Sequence, residues 1–409
     1  MSRIRRAAMP SLAEMGVVPF HDPGVRRFLF VVPPLPGHVE PTVALGAELA
    51  RRGHQVAWAG HPGSVKPLLE PTARLFPTRD KGFTARLARS RDARLTLRGP
   101  AALRFRWEDF IVPLGHGMVP GVEAAVEQFR PDVIVSDQQA PAGAVVALRH
   151  GLPWATSAST SAAFAPALPG LPKVDGWVTA QLAGFQRAHG LEDPVDLRFS
   201  DHLVLGFSAA ALIGDPERFP GHVVFVGPVP RRPSVDDFPW EWLEAPAPTV
   251  LVSLGALHSP AEERFARIAG DAVRELGLRA VFGTPPGGIG APPTNVLVRE
   301  HVPLPRLLPH LSAVLTHGGH DTVCETLAHG LPLVVAPVRD DEPVLARQVA
   351  ATGAGVTVRF ARVQADELRK ALTAVLSDQT YRSAARRIQS SLAAAGGVAE
   401  AADRLEKLA

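Results

Sequence analysis

RFLFVVPPLPGHVEPTVALGAELARRGHQVAWA, residues 27–59, reads as the opening of a doubly wound α/β sheet. Phe28 to Val32 is a short, uninterrupted apolar run, the pattern of a parallel strand buried on both faces. Pro33-Pro-Leu-Pro-Gly-His38 cannot be regular, so a loop carrying His38 is expected. A helix follows over Pro41–Arg52. Pro41 suits its first turn, where a missing N–H costs nothing, Leu45 and Leu49 share a face, and Gly53 suits the end. Gln55–Ala59 is the second strand. Strand, loop, helix and strand make the first half of a Rossmann-like unit.

The alternation continues outward from this stretch. Helices are expected over Ala101–Phe110 and Val122–Phe129, then a buried strand over Val133–Ser136 that ends on Asp137. A helix over Ala140–Leu148 and a strand from Pro153 follow, and Phe207–Ile213 and Val223–Val226 read as closing strands. Residues 229–248 are proline-rich and read as a linker. The pattern then restarts with the strand Thr249–Ser253. It runs through the strand Ala313–Thr316, the helix Thr322–His329, the strand Leu333–Ala336 and the helix Pro343–Ala351 to helices over Ala365–Ser377 and Tyr381–Ala409. The expected organisation is a tail over 1–25 and a first Rossmann-like domain over 26–228. The linker and a second such domain over 249–380 come next, then closing helices over 381–409 that pack back on the first domain. The fold class is α/β, with two βαβ domains facing across a cleft.

Composition narrows the function. The chain has 409 residues, long enough for two cores, and 46% are hydrophobic against 20% charged. A net charge of +3 with scattered arginines carries no nucleic-acid footprint. The lone cysteine, Cys324, excludes an internal disulfide, fits a reducing cytoplasm and reads as a small core residue. Pro10, Glu14 and Pro19 interrupt any signal-peptide core, and no stretch reaches the roughly 18 apolar residues of a membrane span. Met9 and Met15 are alternative starts.

In doubly wound sheets, ligands bind beyond the carboxyl ends of the strands. The polar residues expected there are His38, Asp137, the turn His317-Gly-Gly-His-Asp-Thr322 and the loop Arg339-Asp-Asp-Glu342. His38 could take a proton from a hydroxyl, with Asp137 holding its tautomer, although singly each is an ordinary loop or strand-end residue. The glycine turn permits close backbone approach, and a helix N-terminus receives phosphate, although Asp321 and Thr322 alone read as N-caps. Asp340, Asp341 and Glu342 read as helix-dipole partners in preference to a metal site. Residues 283–290 open no helix and are no dinucleotide loop.

These segments together resemble family 1 of the glycosyltransferases, the UDP-glycosyltransferase superfamily with the GT-B fold. The carrying residues are His301-Val-Pro-Leu-Pro-Arg-Leu-Leu-Pro-His310, Leu315-Thr-His-Gly-Gly319, Cys324-Glu325, Gly330-Leu-Pro332 and Arg339-Asp-Asp-Glu342. Pro36-Gly-His-Val-Glu-Pro41, Val252-Ser-Leu-Gly255 and Phe225-Val-Gly-Pro228 match in style. Actinobacterial natural-product enzymes are the nearest subgroup. The resemblance implies His38 as catalytic base with Asp137 as its partner. It places His301 and Val302 at the nucleobase and Glu325 at the ribose. His317, Gly319, Asp321 and Thr322 fall to the diphosphate, Asp341 and Glu342 to the sugar hydroxyls, and Ser253, Gly255 and His320 also to the donor site. Ala256 and Glu342 depart from the usual Ser or Thr and Gln. Implied too are an inverting transfer without metal or cofactor, a nucleotide-sugar donor (UDP favoured, dTDP possible) and a small hydrophobic natural-product acceptor. A monomer or homodimer is expected. The rivals are a nucleotide-sugar epimerase, a helper protein with a degenerate donor site and a nicotinamide oxidoreductase. The last is opposed by the missing Gly-x-Gly-x-x-Gly after the first strand.

Overall fold

The computed structural model describes residues 24–409 except 79–81, 83–84, 86, 90–96, 98, 166–171, 230–236, 246, 255–259, 286–288 and 290–291. Two wholly parallel sheets organise the chain. Seven strands form the first: β1 (Arg27–Val31), β2 (Gln55–Gly60), β3 (Arg74–Pro77), β4 (Val133–Asp137), β5 (Trp154–Ala158), β6 (Leu203–Gly206) and β7 (Val223–Phe225), in the order β3-β2-β1-β4-β5-β6-β7. Six form the second: β8 (Thr249–Ser253), β9 (Arg279–Gly283), β10 (Val296–Arg299), β11 (Ala313–Thr316), β12 (Leu333–Val335) and β13 (Gly355–Thr357), in the order β10-β9-β8-β11-β12-β13. The chain is therefore a pair of Rossmann-like domains.

Helices cover both faces of each sheet. They are α1 (Pro36–Arg51), α2 (Val112–Phe129), α3 (Ala142–His150), α4 (Pro172–Arg187), α5 (Pro260–Glu275), α6 (His320–Ala328), α7 (Glu342–Thr352), α8 (Ala365–Ser377), α9 (Gln379–Ala393) and α10 (Gly397–Leu408). Burial on both faces explains the unbroken apolar strands. In β1, Phe28 and Phe30 enter one core, and Leu29 and Val31 the other. The last helix returns to the first sheet. Its Ala401, Ala402 and Leu405 pack with Phe28 and Phe30, while Arg52 and His54 bond to Glu406 at 2.9 Å each.

Each sheet has one place where the strand order reverses, and a crevice opens there. In the first sheet it lies between β1 and β4, where Val31 pairs with Ser136. In the second it lies between β8 and β11, where Ser253 pairs with Thr316. His38 and Asp137 stand at the first pair of strand ends, and Ser253 and His317 at the second.

Three expectations need correction. Helix α1 begins at Pro36, not Pro41, so His38 stands in its first turn and not on a free loop. Pro36 takes the N-terminal position for which proline is suited, and Pro41 falls inside the helix, where it removes one i→i−4 bond. Phe207–Ile213 is no strand. Strand β6 ends at Gly206 and Ala210–Ile213 is a helical turn, since a short apolar run rich in alanine does not distinguish the two. The region 101–129 is one continuous helical path. Gly99–Arg104 passes through a π-helical stretch, Phe105–Ile111, into α2. A π-turn adds a residue and redirects side chains, which neither the hydrophobic period nor the propensities encode.

Candidate active site

His38, in the first turn of α1 after β1, and Asp137, the last residue of β4, meet at the reversal point. Asp137 is fully buried, and His38 keeps 15% of its side-chain surface. Both carboxylate oxygens lie 3.0 Å from His38 Nδ1. A carboxylate only accepts, so Nδ1 carries a proton, and in the neutral ring Nε2 presents a lone pair. Two more residues complete the group. Ser159, just beyond β5, places Oγ 2.7 Å from His38 Nδ1 and donates to Asp137 Oδ2 at 3.3 Å. Gln139 donates its backbone N–H to Asp137 Oδ1 at 2.8 Å. These bonds satisfy a carboxylate removed from water, which would otherwise be costly to keep charged.

Across the crevice, the β11–α6 turn faces His38. Gly318 has φ +99°, a left-handed conformation suited to glycine, and a Cβ there would lie 2.9 Å from Val335 Cγ1. His317 donates Nδ1–H to the Ser253 carbonyl at 3.2 Å, which leaves Nε2 toward the cavity. Gly319 is the N-cap of α6, and no side chain caps the helix, so the N-cap reading of Asp321 and Thr322 does not hold. Both lie inside the first turn.

A cavity of about 390 Å³ joins the two halves, lined by Gly37, His38, Gln139 and Ser159 on one side and His317–Asp321 and Arg339–Glu342 on the other. It continues, across Arg106, Gln139 and Asp341, into a second space of about 410 Å³. That space has Leu103, Trp107, Ile111, Ala162 and Val178 among its walls.

Asp341 and Glu342 line the first cavity but point apart. Asp341 Oδ1 accepts from Arg106 at 2.7 Å, an ion pair crossing from one domain to the other. Burial opposes charge on Asp341, but the Arg106 guanidinium outweighs it and holds the carboxyl below the usual carboxylate range. Glu342 turns back and accepts the N–H groups of Val338 and Arg339 at 2.7 and 2.8 Å. Burial raises its pKa against the pull of His317 and those donors. The intervening loop holds Asp340 at φ +51°. Among the described residues, no three His, Cys, Asp or Glu side chains converge as metal ligands.

A pH effect follows from the Arg106 pair. The folded pKa of Asp341 lies below its unfolded value. The pair's stabilisation is therefore fully present above the ordinary Asp range and lost as pH falls through the depressed value. Arg106→Met removes that contribution, so its acid unfolding begins at higher pH than the wild type's. Circular dichroism between about pH 2 and 6 measures the difference.

The other expected donor residues are more dispersed. His320 ties the domains together. Its Nε2 donates to the Phe207 carbonyl at 2.9 Å, and Nδ1 faces the Ser161 N–H at 3.4 Å. Ser253 ends β8 and holds His317 through its carbonyl. Thr322 and Glu325 are buried on α6. His301 is exposed after β10, and Val302 packs against the second domain's core. Neither is among the residues lining the two joined spaces. Gly255 lies outside the described residues, as does its neighbour Ala256. Cys324 is buried in α6, as a core residue should be.

Gln139, Ser159 and Arg106 belong to this site and are missed by the motif reading. Gln139 lies two residues after β4 and Ser159 directly after β5, so the strand-end rule alone would find them. Arg106 carries no such signal.

Comparison with known proteins agrees with the fold. Residues 285–408 match the family model of the erythromycin biosynthesis protein CIII-like C-terminal domain. The elloramycin glycosyltransferase ElmGT of Streptomyces olivaceus is 30% identical, over 93% of this chain and 96% of its own length. The 4'-demethylrebeccamycin synthase of Lentzea aerocolonigenes is 29% identical, over 93% and 99%. Among solved structures, the kitacinnamycin glycosyltransferase superposes with a TM-score of 0.74 at 26% identity, covering 94% of this chain and 98% of that one.

Proposed function

The chain belongs to the GT-B natural-product glycosyltransferases, and from that premise we propose that it is an inverting enzyme that needs no metal and uses His38 as general base. The donor is a nucleoside-diphosphate sugar held by the second domain. The acceptor is a small hydrophobic natural product with a free hydroxyl, held by the first. The observation that carries this reading is the buried His38–Asp137 dyad, 3.0 Å apart, facing the β11–α6 turn across one cavity.

The chemistry follows from the placement. An acceptor hydroxyl entering from the 410 Å³ space, whose walls include Leu103, Trp107, Ile111 and Val178, reaches His38 Nε2. Its oxygen attacks the anomeric carbon as its proton passes to Nε2. The bond from that carbon to the diphosphate oxygen breaks, and the electron pair leaves with the diphosphate. Attack from the opposite face inverts the configuration. Asp137 stabilises the imidazolium, as a carboxylate behind a histidine does. The N–H groups at the start of α6 and the His317 ring meet the charge developing on the leaving group. In this reading no cation is needed for it.

Asp341 and Glu342 are assigned to the donor sugar, with Arg106 and the loop N–H groups setting how many of their oxygens remain for its hydroxyls. A thermal-shift series with UDP, dTDP, GDP and NAD, each with and without EDTA, tests the donor assignment. A rise in Tm with UDP or dTDP that survives EDTA is expected, since a ligand that binds only the folded chain stabilises it. A rise that EDTA abolishes overturns the metal-free reading, and a rise with NAD alone overturns the donor. Which of UDP and dTDP gives the larger shift fixes the base.

A further inference from the structure

Gln139 is buried where the two joined spaces meet, and its side-chain Nε2 lies 3.1 Å from His38 Nε2. The direction of this bond follows from the ring. Asp137 accepts the hydrogen bond from Nδ1–H, so in the neutral ring Nε2 holds a lone pair, and the group facing it donates. The amide N–H of Gln139 does so. The lone pair that would receive the acceptor's proton is therefore engaged by the Gln139 amide.

We infer that Gln139 guards the base against water. While no acceptor is bound, its N–H holds His38 Nε2, and water in the cavity is not activated toward the donor. An acceptor hydroxyl arriving from the 410 Å³ space takes the amide's place at Nε2. Gln139 thus acts through His38 and is a positioning residue. This rests on the transferase reading above. The suppressed side reaction needs only water as co-reactant. Water's oxygen would bond to the anomeric carbon while its proton went to His38 Nε2. The bond to the diphosphate oxygen would break with its electron pair, releasing free sugar and nucleoside diphosphate.

The test compares the wild type with Gln139→Ala, Gln139→Leu and the double variant His38→Ala/Gln139→Ala. Alanine opens space for about one water of roughly 30 Å³. Leucine fills the space without a donor. Release of nucleoside diphosphate from the donor is measured without acceptor and set against transfer. In Gln139→Ala the ratio of hydrolysis to transfer is expected to rise about tenfold, a modest share of what a positioned base contributes. The rise should be smaller in Gln139→Leu, which excludes water. Hydrolysis should fall back to the wild-type rate or below in the double variant. An unchanged ratio in Gln139→Ala overturns the inference, as does raised hydrolysis that persists without His38. Nitrogen-15 NMR of the His38 ring gives a readout that needs no turnover. Nδ1 should be protonated and Nε2 bare, with the Nε2 resonance displaced in Gln139→Leu. An unmoved resonance overturns the guard even if the enzyme transfers sugar. A displaced resonance supports it even if the donor assignment fails.

Discussion

His38→Ala is expected to lower the rate of sugar transfer by about 10²–10⁴-fold, the range a positioned general base contributes. The loss should fall on kcat with the acceptor saturating. Nucleotide binding, read by thermal shift, should persist, because His38 stands on the first domain and the proposed diphosphate cradle on the second. Asp137→Asn tests the same dyad without changing its size. An asparagine amide N–H facing Nδ1 would favour the wrong tautomer, moving the proton to Nε2 and leaving no base there. A loss of about the same order is expected, and the double variant should be little worse than the worse single one, because the residues act as a unit. Normal turnover of a hydroxyl acceptor by His38→Ala would remove the assignment altogether.

Gly318→Ala should damage the second domain. Two effects combine. The backbone at φ +99° is strained for any residue with a Cβ, and that Cβ would lie 2.9 Å from Val335 Cγ1, a buried strand residue. About 2–4 kcal/mol of stability should be lost, the sum of a φ penalty and overpacking. Gly53→Ala is the control. Gly53 has φ +94°, but its added Cβ would meet nothing within 4 Å. Strain alone should cost it about 1 kcal/mol. Denaturant unfolding of both variants measures the difference. Gly318→Ala should also weaken UDP or dTDP binding by more than its stability loss explains, because relieving the clash turns the peptide N–H groups that face the cavity. Equal stability losses at Gly318 and Gly53 would show that packing against Val335 plays no part.

The order in which these elements appear was legible because parallel strands buried on both faces leave unbroken apolar runs. Phe28–Val32, Val133–Ser136 and Ala313–Thr316 needed no partner to be identified. The candidate site was legible for a related reason. A ligand site in such a sheet must lie at strand ends, so His38, Asp137, His317 and Asp341 could be found by position, and their motif order tied them to a family. The errors fell where local chemistry is ambiguous. Pro36 and Pro41 can each start a helix, and the alanines at 209–211 fit more than one state.

By itself, then, the sequence determined two Rossmann-like domains, the strand ends that carry polar residues, and membership of a glycosyltransferase family. Those properties depend on residue type and spacing along the chain. Tertiary structure alone decided which side chains meet. It placed Asp137 against a histidine 99 residues away, put Gln139 on that histidine's free nitrogen and paired Arg106 with Asp341 across 235 residues. Such contacts depend on strand order, on where a π-helical turn redirects a side chain and on how two domains close. The physical reason is that these are properties of three-dimensional distance, which a one-dimensional pattern of polarity does not encode.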